Sequence, residues 1–126
     1  MVQVEIAQLT EECSTWRDAL RQLREEFTRD KSKLQESALL PLSKHQLQDV
    51  EHLQNQFHIQ LINIHDLKQA IKTHCRMMDM EKATHNGQLR EETMAMHEDL
   101  YDQYQRLDAT LGELRQEFNS FLRNTP

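Results

Sequence analysis

Histidines are the side chains of this sequence that metal binding or general base catalysis would use first. The chain has seven of them. His45 and His52 stand seven residues apart, as do His58 and His65. On a helix this spacing puts both imidazoles of a pair on one face but two turns apart, which is too far for one metal ion. The pattern therefore predicts solvated histidines or histidines at the edge of a helix seam, and no metal site.

The cysteines do not complete such a site. His74 and Cys75 are adjacent, so on a helix their side chains point about 100° apart. The sequence contains no Cys-x-x-Cys motif. A catalytic nucleophile also needs a base and an orienting group in a pocket, and a regular, glycine-poor helical chain offers no phosphate-binding loop or strained turn for them. We therefore expect no enzymatic activity, no catalytic residue and no cofactor.

Charge and hydropathy argue against two classes of partner. The net charge is −6, and acidic and basic residues are interspersed, so no basic block is present to neutralise nucleic-acid phosphates. No apolar run approaches the ~20 residues of a membrane-spanning helix. Residues 1–13 lack the basic start and apolar stretch of a signal peptide. Because Cys13 and Cys75 suggest no disulfide framework, a reducing, cytoplasmic setting is predicted.

The composition predicts an all-α chain of long helices. Glycine and proline occur twice each, whereas glycine alone averages roughly 7% of soluble proteins, so few turns are expected. Glu, Gln, Lys, Arg, Leu and Met dominate, and these side chains lose little rotamer freedom in a helix. Charged residues are abundant and apolar ones scarce. Thin cores shared between helices are the expected result.

Residues 1–39 carry the clearest pattern, a heptad repeat. The apolar positions alternate in spacing between four and three, and Asp30 interrupts them at one slot. Such a narrow seam is typical of a coiled coil, in which it is buried against a partner helix. Cys13 is expected as a small buried hydrophobe, or as an interchain disulfide between in-register copies. Trp16 is either a core anchor or a sign that a third helix approaches. The predicted self-association seam consists of Ile6, Leu9, Cys13, Trp16, Leu20, Leu23, Phe27 and Leu34.

The charges that flank this seam favour a parallel homodimer. In a parallel, in-register pair each g position faces the e position five residues further along the partner. This arrangement gives Glu12–Arg17 and Glu26–Lys31 contacts without a like-charge pair. An antiparallel self-pair would bring acids near acids. Each exposed pair adds only ~0.3–0.5 kcal/mol, so these charges select orientation more than they add affinity.

Proline then interrupts the first helix. Pro41 falls on the next a position of the seam, where it lacks a backbone N–H and crowds the preceding turn. Ser43 and Gln46 form the pattern of a capping box, which starts a new helix. The sequence therefore predicts a break at 40–43 and a second helix at 44–85. Whether the chain reverses or continues with a kink at this break is left open, and continuation is narrowly favoured.

The second and third segments offer a candidate surface for another protein. Residues 44–85 have an apolar face wide enough for two neighbouring helices, 86–87 form a candidate break at an Asn-Gly turn signal, 88–123 resume a seam and 124–126 form a frayed tail. Methionine more often fills an irregular core, but its flexible side chain also suits docking surfaces. The candidate partner-binding surface consists of Met77, Met78, Met80, Leu100, Tyr104, Leu107, Leu111, Leu114 and Phe118.

Two architectures follow from these segments. The favoured one is a segmented, elongated coiled coil that forms a parallel homodimer, because register and charge agree over four heptads. The alternative is an antiparallel three-helix bundle, which the even spacing of the breaks and the wide middle face support. In that alternative the chain resembles a spectrin-type repeat in architecture, with Trp16 in its first helix.

The function predicted from these features is structural. We expect a non-enzymatic oligomerisation or scaffold module of a larger intracellular protein of the cytoskeletal, centrosomal or trafficking kind, which binds itself and other helical proteins. The alternative is a helical adaptor that binds a heterologous protein or a small GTPase through its Met-rich middle and last helix. Neither prediction includes nucleic acid or membrane as a partner.

Overall fold

The computed structural model describes residues 2–84 and 87–125, and the side chains of those ranges from residue 6 onward. Asn86, in the second candidate break, and Pro126, in the tail, lie outside the described residues. The described ranges form three α-helices: α1 is Val2–Ser37, α2 is Lys44–Thr84 and α3 is Glu91–Arg123. They contain no strand. The predicted all-α class is confirmed.

The first two helices run antiparallel to each other. Cys13, near the start of α1, and Cys75, near the end of α2, have their Cα atoms 6.2 Å apart. Phe27, further along α1, packs against Phe57 in the first half of α2, with 5.8 Å between ring centroids. Residues later in α1 therefore contact residues earlier in α2. The chain reverses between the two helices.

The third helix reverses the direction again. The ring of Phe57 meets that of Phe118, near the end of α3, with 5.3 Å between centroids. His74 meets His97, near the start of α3, at 5.2 Å. The order of contacts on α2 is thus opposite to that on α3. As a result, α1 and α3 are parallel to each other and antiparallel to α2.

This arrangement corrects the favoured architecture. The elongated rod that continues through Pro41 is wrong for this chain, which folds back into the antiparallel three-helix bundle held as the alternative. The physical reason is that a heptad seam needs apolar neighbours but does not specify whether they come from another chain. A single chain does not test dimerisation, which stays a prediction.

Pro41 accounts for the end of α1 four residues earlier, at Ser37. In a continuing helix the proline ring would clash with the carbonyl of the residue four positions earlier, which is Ser37, and Ser37 is the last residue of α1. The backbone N–H groups of Ala38, Leu39 and Leu40 still bond to carbonyls of the last turn, at 3.1 Å. Six residues, 38–43, then join α1 to α2. Connections of this length commonly join antiparallel neighbours in bundles.

A reciprocal capping box begins α2. The backbone N–H of Ser43 donates to Gln46 Oε1 at 2.9 Å, and the backbone N–H of Gln46 donates to Ser43 Oγ at 3.1 Å. These bonds satisfy donors that have no partner within the helix. Gln46 Nε2 also donates to the backbone oxygen of Asn124 at 3.1 Å, just past the end of α3. The same side chain thus caps α2 and attaches it to α3.

The connection between α2 and α3 includes Gly87 at a φ of 77°. This left-handed conformation is one that L side chains rarely adopt, which is why glycine suits the position. The Gly87 N–H donates to the carbonyl of Lys82 at 3.0 Å, a bond across the end of α2. Glycine at this position therefore closes the helix.

The core of the bundle is apolar at the end near the α1–α2 connection. Phe27, Phe57 and Phe118 come from three different helices and pack as one cluster. Arg115 lies with its guanidinium carbon 5.4 Å from the centre of the Phe27 ring. The opposite end of the bundle carries a disulfide and buried polar side chains, and that end forms the candidate site.

Candidate functional site

The predicted self-association seam lies in the core of its own chain. Most of its side chains are buried, and Leu9 and Leu23 pack half-buried against the same core. Asp30, which interrupts the seam, lies beside α3, where its Oδ2 is 3.4 Å from Arg115 Nη2. The seam of α1 therefore packs against two helices of its own chain, α2 and α3.

The predicted orientation charges divide into two groups. Glu12 Oε2 lies 2.9 Å from His97 Nε2, and Glu26 Oε2 lies 2.9 Å from Arg115 Nη1. Both partners belong to α3, the helix that runs parallel to α1. The basic members, Arg17 and Lys31, form no ion pair within the described residues. Within the chain, Glu12 and Glu26 therefore contact α3. The parallel homodimer that their charges favoured is not tested by these contacts and stays a prediction.

Cys13 and Cys75 form a disulfide that joins α1 to α2. Both side chains are buried. This bond corrects two predictions: Cys13 is not paired with a second copy of itself, and the two cysteines do support a disulfide. Their separation of 62 residues gave no motif, and only the fold brings them together. Disulfides persist mainly in oxidising compartments, so the cysteines no longer support the cytoplasmic prediction.

Two buried histidines lie beside the disulfide. His74 Nε2 is 3.0 Å from His97 Nδ1, and His97 Nε2 contacts Glu12 as described above. The simplest assignment of protons has His74 donating to His97 and His97 donating to the Glu12 carboxylate. His74 Nδ1 is then an acceptor, and it has no hydrogen-bond partner in the described part of the chain. The prediction that the histidines are solvated or at a seam edge is wrong for these two.

Burial sets the protonation of His74. Its side chain is about 1% exposed. Burial, followed by the neighbouring His97, lowers the pKa of His74 from 6.5 to about 4, while Glu81 acts in the opposite direction. His74 is therefore neutral at physiological pH. In this state it fills core space and donates one hydrogen bond.

Trp16 packs against His97 from α1. Its ring lies 4.7 Å from the centroid of His97, 5.7 Å from Tyr101 and 6.1 Å from Tyr104. These three rings all belong to α3. Of the two alternatives for this residue, a core anchor and a contact with a third helix, the structure shows both.

Glu81 attaches the end of α2 to the start of α3. The backbone N–H of Arg90 donates to Glu81 Oε1 at 2.8 Å, and the Thr93 hydroxyl donates to Glu81 Oε2. The Arg90 guanidinium Nε lies 3.7 Å from the same carboxylate. A carboxylate at a helix N-terminus meets unsatisfied N–H donors and the positive end of the helix dipole. Glu81 therefore caps α3 from a neighbouring helix.

These contacts give the polar end of the bundle a structural role. The chain of hydrogen bonds from His74 through His97 to Glu12 could move a proton, but its inner member is closed to solvent. Histidine, cysteine, aspartate and glutamate side chains do not gather in groups of three suited to a metal ion within residues 2–84 and 87–125. The His74–His97–Glu12 contacts and the Glu81–Arg90 contact hold the three helices together at this end of the bundle.

Sequence reasoning missed His74, His97 and Glu81, although each carried a signal. His74 follows Ile71 by three residues and so continues the apolar stripe of α2. His97 precedes Leu100 by three and continues the seam of α3 backwards. Histidine in phase with an apolar stripe indicates a buried imidazole. Glu81 follows Met78 by three residues and so also lies in phase with the stripe of α2. This signal is weaker, because the partners that a buried carboxylate needs depend on how the chain turns after α2.

Most of the candidate partner-binding surface is core. Met78 is buried, Met77 is half-buried and Met80 is 68% exposed. The members on α3 divide into buried residues, which are Leu100, Leu111, Leu114 and Phe118, and half-buried ones, which are Tyr104 and Leu107. Met77 and Met80 line a shallow groove of about 420 Å³, together with Thr73, Arg76, Glu81, Thr84 and Arg90. We call it the Met80 groove.

A second groove, between α1 and α2, is basic. It measures about 620 Å³ and is lined by Arg21, Arg24, Glu25, Thr28, Arg29 and Lys68. Arg24, Arg29 and Lys68 form no ion pair among the described residues. Arg21 lies 3.5 Å from Asp18, and both of those side chains are largely exposed. We call this surface the basic groove.

The first half of α3 carries the opposite charge. Residues 91–105 include five acids and no lysine or arginine. Glu91, Met94, Glu98, Tyr101 and Asp102 follow one another at spacings of three, four, three and one, which places them on one flank of the helix. All five are exposed. We call this flank the acidic strip.

Comparison with known proteins identifies no relative of this chain. No family model, no curated protein and no solved structure matches it. Among the described residues, no helix is long and apolar enough to cross a membrane.

Proposed function

We propose that the chain is a non-enzymatic helical interaction module that assembles helical proteins, itself included, into a scaffold of the cytoskeletal, centrosomal or trafficking kind. The observation that supports this proposal is the separation of charge on the outside of the bundle. Three cations of the basic groove, Arg24, Arg29 and Lys68, have no ion-pair partner among the described residues, and the acidic strip carries three acids. Complementary charged faces steer proteins together and select their orientation.

The filled core directs such binding to the outer surfaces. Pairing α1 with a second copy through its seam would require α1 to leave α2 and α3. Burying a large apolar side chain stabilises a fold by about 1.5–3 kcal/mol, and α1 would lose this contribution at Leu20, Phe27 and Leu34 until the partner replaced it. Assembly through the outer charged faces leaves the bundle intact.

Affinity capture with charge-reversed variants tests this function. The bait is the folded chain, compared with Arg24→Glu/Lys68→Glu and with Lys33→Glu/Lys44→Glu, which changes net charge equally but outside the groove. We expect the wild type and the control to capture a helical protein, and the groove variant Arg24→Glu/Lys68→Glu to lose it. The captured protein, once purified, should bind the wild type directly in calorimetry. If no purified protein and no second copy binds the wild type, the proposal is wrong.

A cytoplasmic location is part of the proposal, although the Cys13–Cys75 disulfide of the structure favours an oxidising compartment. Cytosolic glutathione and thioredoxin keep thiols reduced, so Cys13 and Cys75 are expected there as free thiols. Rapid alkylation of the protein in lysed cells under denaturing conditions would then label both cysteines. An intact disulfide in the same assay would indicate an oxidising compartment.

The Met80 groove favours a second function, that of an adaptor for a heterologous protein or a small GTPase. A methionine that is mostly exposed beside two arginines can adapt to an apolar partner with acidic edges. Met80→Asp is expected to weaken binding of such a partner and to leave self-association unchanged. Equal loss of both activities would count against a separate adaptor surface.

A further inference from the structure

We propose that the acidic strip of one copy of this chain docks into the basic groove of a second copy. The inference rests on the proposed function, because it names the surfaces through which the module binds itself. The occupant is chosen by charge. The groove presents four cations and one acid, and the strip presents three acids with Met94 and Tyr101 among them.

The basic groove is suited to an acidic helix. Its cations come from both walls, with Arg21, Arg24 and Arg29 on α1 and Lys68 on α2. Lys68 is half-buried, and a lysine in this state typically lays its aliphatic stem along apolar surface and keeps its ammonium in water. Glu25 lies at the same groove and leaves the cations in excess. A helix with acids on one flank would neutralise these charges from outside.

The acidic strip has the matching form. Glu98 and Asp102 are one turn apart, and Tyr101 lies between them on the same flank, at 43% exposure. Met94, one turn before Glu98, is also exposed. The strip therefore offers acids for the cations and apolar side chains for the aliphatic stems.

The two surfaces agree in length. From Arg21 to Arg29 the groove spans eight residues of helix, or roughly 12 Å at ~1.5 Å per residue. From Glu91 to Asp102 the strip spans eleven residues, or roughly 16 Å on the same basis. The strip is therefore long enough to span the groove.

The surfaces also lie on different sides of the bundle. The ring of Tyr101 stacks on Trp16, so the strip lies on the side where α3 meets α1. The groove lies where α1 meets α2. One copy can thus bind two others, one through each surface. A head-to-tail contact of this kind builds rings or open chains rather than closed two-fold dimers.

Sedimentation velocity over a range of protein concentrations tests the contact. The Debye length is roughly 30 Å at about 0.01 M salt and roughly 3 Å at about 1 M. We expect association at the lower salt concentration and a 15.0 kDa monomer at the higher one. A monomer at low salt and all concentrations would overturn the inference, and so would association that salt does not weaken.

Charge reversal identifies the surfaces. Arg24→Glu/Lys68→Glu reverses the groove and Glu98→Lys/Asp102→Lys reverses the strip, all at positions where α-helical structure should persist in circular dichroism. Each variant alone is expected to associate at least about tenfold more weakly than the wild type. Lys33→Glu/Lys44→Glu, the matched control, is expected to associate like the wild type.

Mixing the two reversed variants gives the sharpest result. The reversed groove is acidic and the reversed strip is basic, so the mixture should recover association that neither variant has alone. Association that persists in the single variants, or that mixing does not restore, would overturn the inference. A captured helical protein that binds the basic groove of a chain that stays monomeric would also overturn it, while leaving intact the proposed binding of other helical proteins.

Discussion

At the residue scale, His74 is a neutral imidazole held in the core by its contact with His97. Its pKa is about 4 in the folded chain and 6.5 in the unfolded chain. Between these values the unfolded chain binds a proton that the folded chain does not, so stability falls as the pH falls from 6.5 to 4. From pH 6.5 to pH 5 the loss attributable to His74 is about 2 kcal/mol.

The variant His74→Gln tests this effect, because it keeps an N–H donor beside His97 and removes the titration. Urea unfolding of the variant is expected to lose about 2 kcal/mol less than the wild type between pH 6.5 and pH 5. His58→Gln, at an exposed histidine of the same helix, should retain the wild-type pH dependence. If His74→Gln also retains it, the neutral buried imidazole is not the cause.

The disulfide gives a second prediction at this scale. Linking residues 62 positions apart restricts the unfolded chain, which in the chain-entropy view contributes about 4 kcal/mol to the free energy of unfolding. Cys13→Ala/Cys75→Ala should therefore unfold at lower urea than the oxidised wild type and close to the wild type in a reducing agent. A disulfide-linked dimer of the wild type in non-reducing electrophoresis would contradict the intrachain bond.

The sequence predicted the buried residues better than it predicted their partners. Helical periodicity placed Leu20, Phe27 and Leu34 on one face, and that face is buried. The Cys13–Cys75 bond and the His74–His97 contact could not be predicted, because each joins residues on different helices. Such contacts depend on how the helices pair, which local spacing does not encode.

At the element scale, the start of α2 depends on the capping box. Ser43→Ala removes the acceptor for the Gln46 N–H and is expected to cost about 1 kcal/mol of stability in urea unfolding. Ser32→Ala, at an exposed position inside α1, is the control and should be neutral or slightly stabilising, because alanine has the higher helix propensity. Equal effects of the two substitutions would show that the cap does not contribute.

The helices themselves follow from local chemistry. Pro41 accounts for the end of α1 at Ser37, and the Ser43–Gln46 pair accounts for the start of α2 at Lys44. The charges at Glu12 and Glu26 favoured a parallel homodimer, whereas within the chain both residues contact α3. Local chemistry does not decide whether the helices that pack against α1 belong to the same chain or to a second copy.

At the scale of the whole molecule, the choice lay between pairing with another chain and folding back. The two arrangements bury much the same seam, so the apolar pattern does not separate them. The six-residue connection and the tie from Gln46 to Asn124 favour folding back, and the second of these is visible only in the structure. With the seam buried inside the chain, the charged outer faces of the bundle stay exposed.

Small-angle X-ray scattering, combined with sedimentation equilibrium at about 1 M salt, tests the closed bundle most directly, since a Debye length of roughly 3 Å suppresses the proposed contact between copies. The bundle predicts a 15.0 kDa monomer. Its longest dimension should be near 60 Å, which is the length of the 41-residue α2 at ~1.5 Å per residue. A dimer longer than about 100 Å, as end-to-end helices at ~1.5 Å per residue would give, would contradict the fold described here.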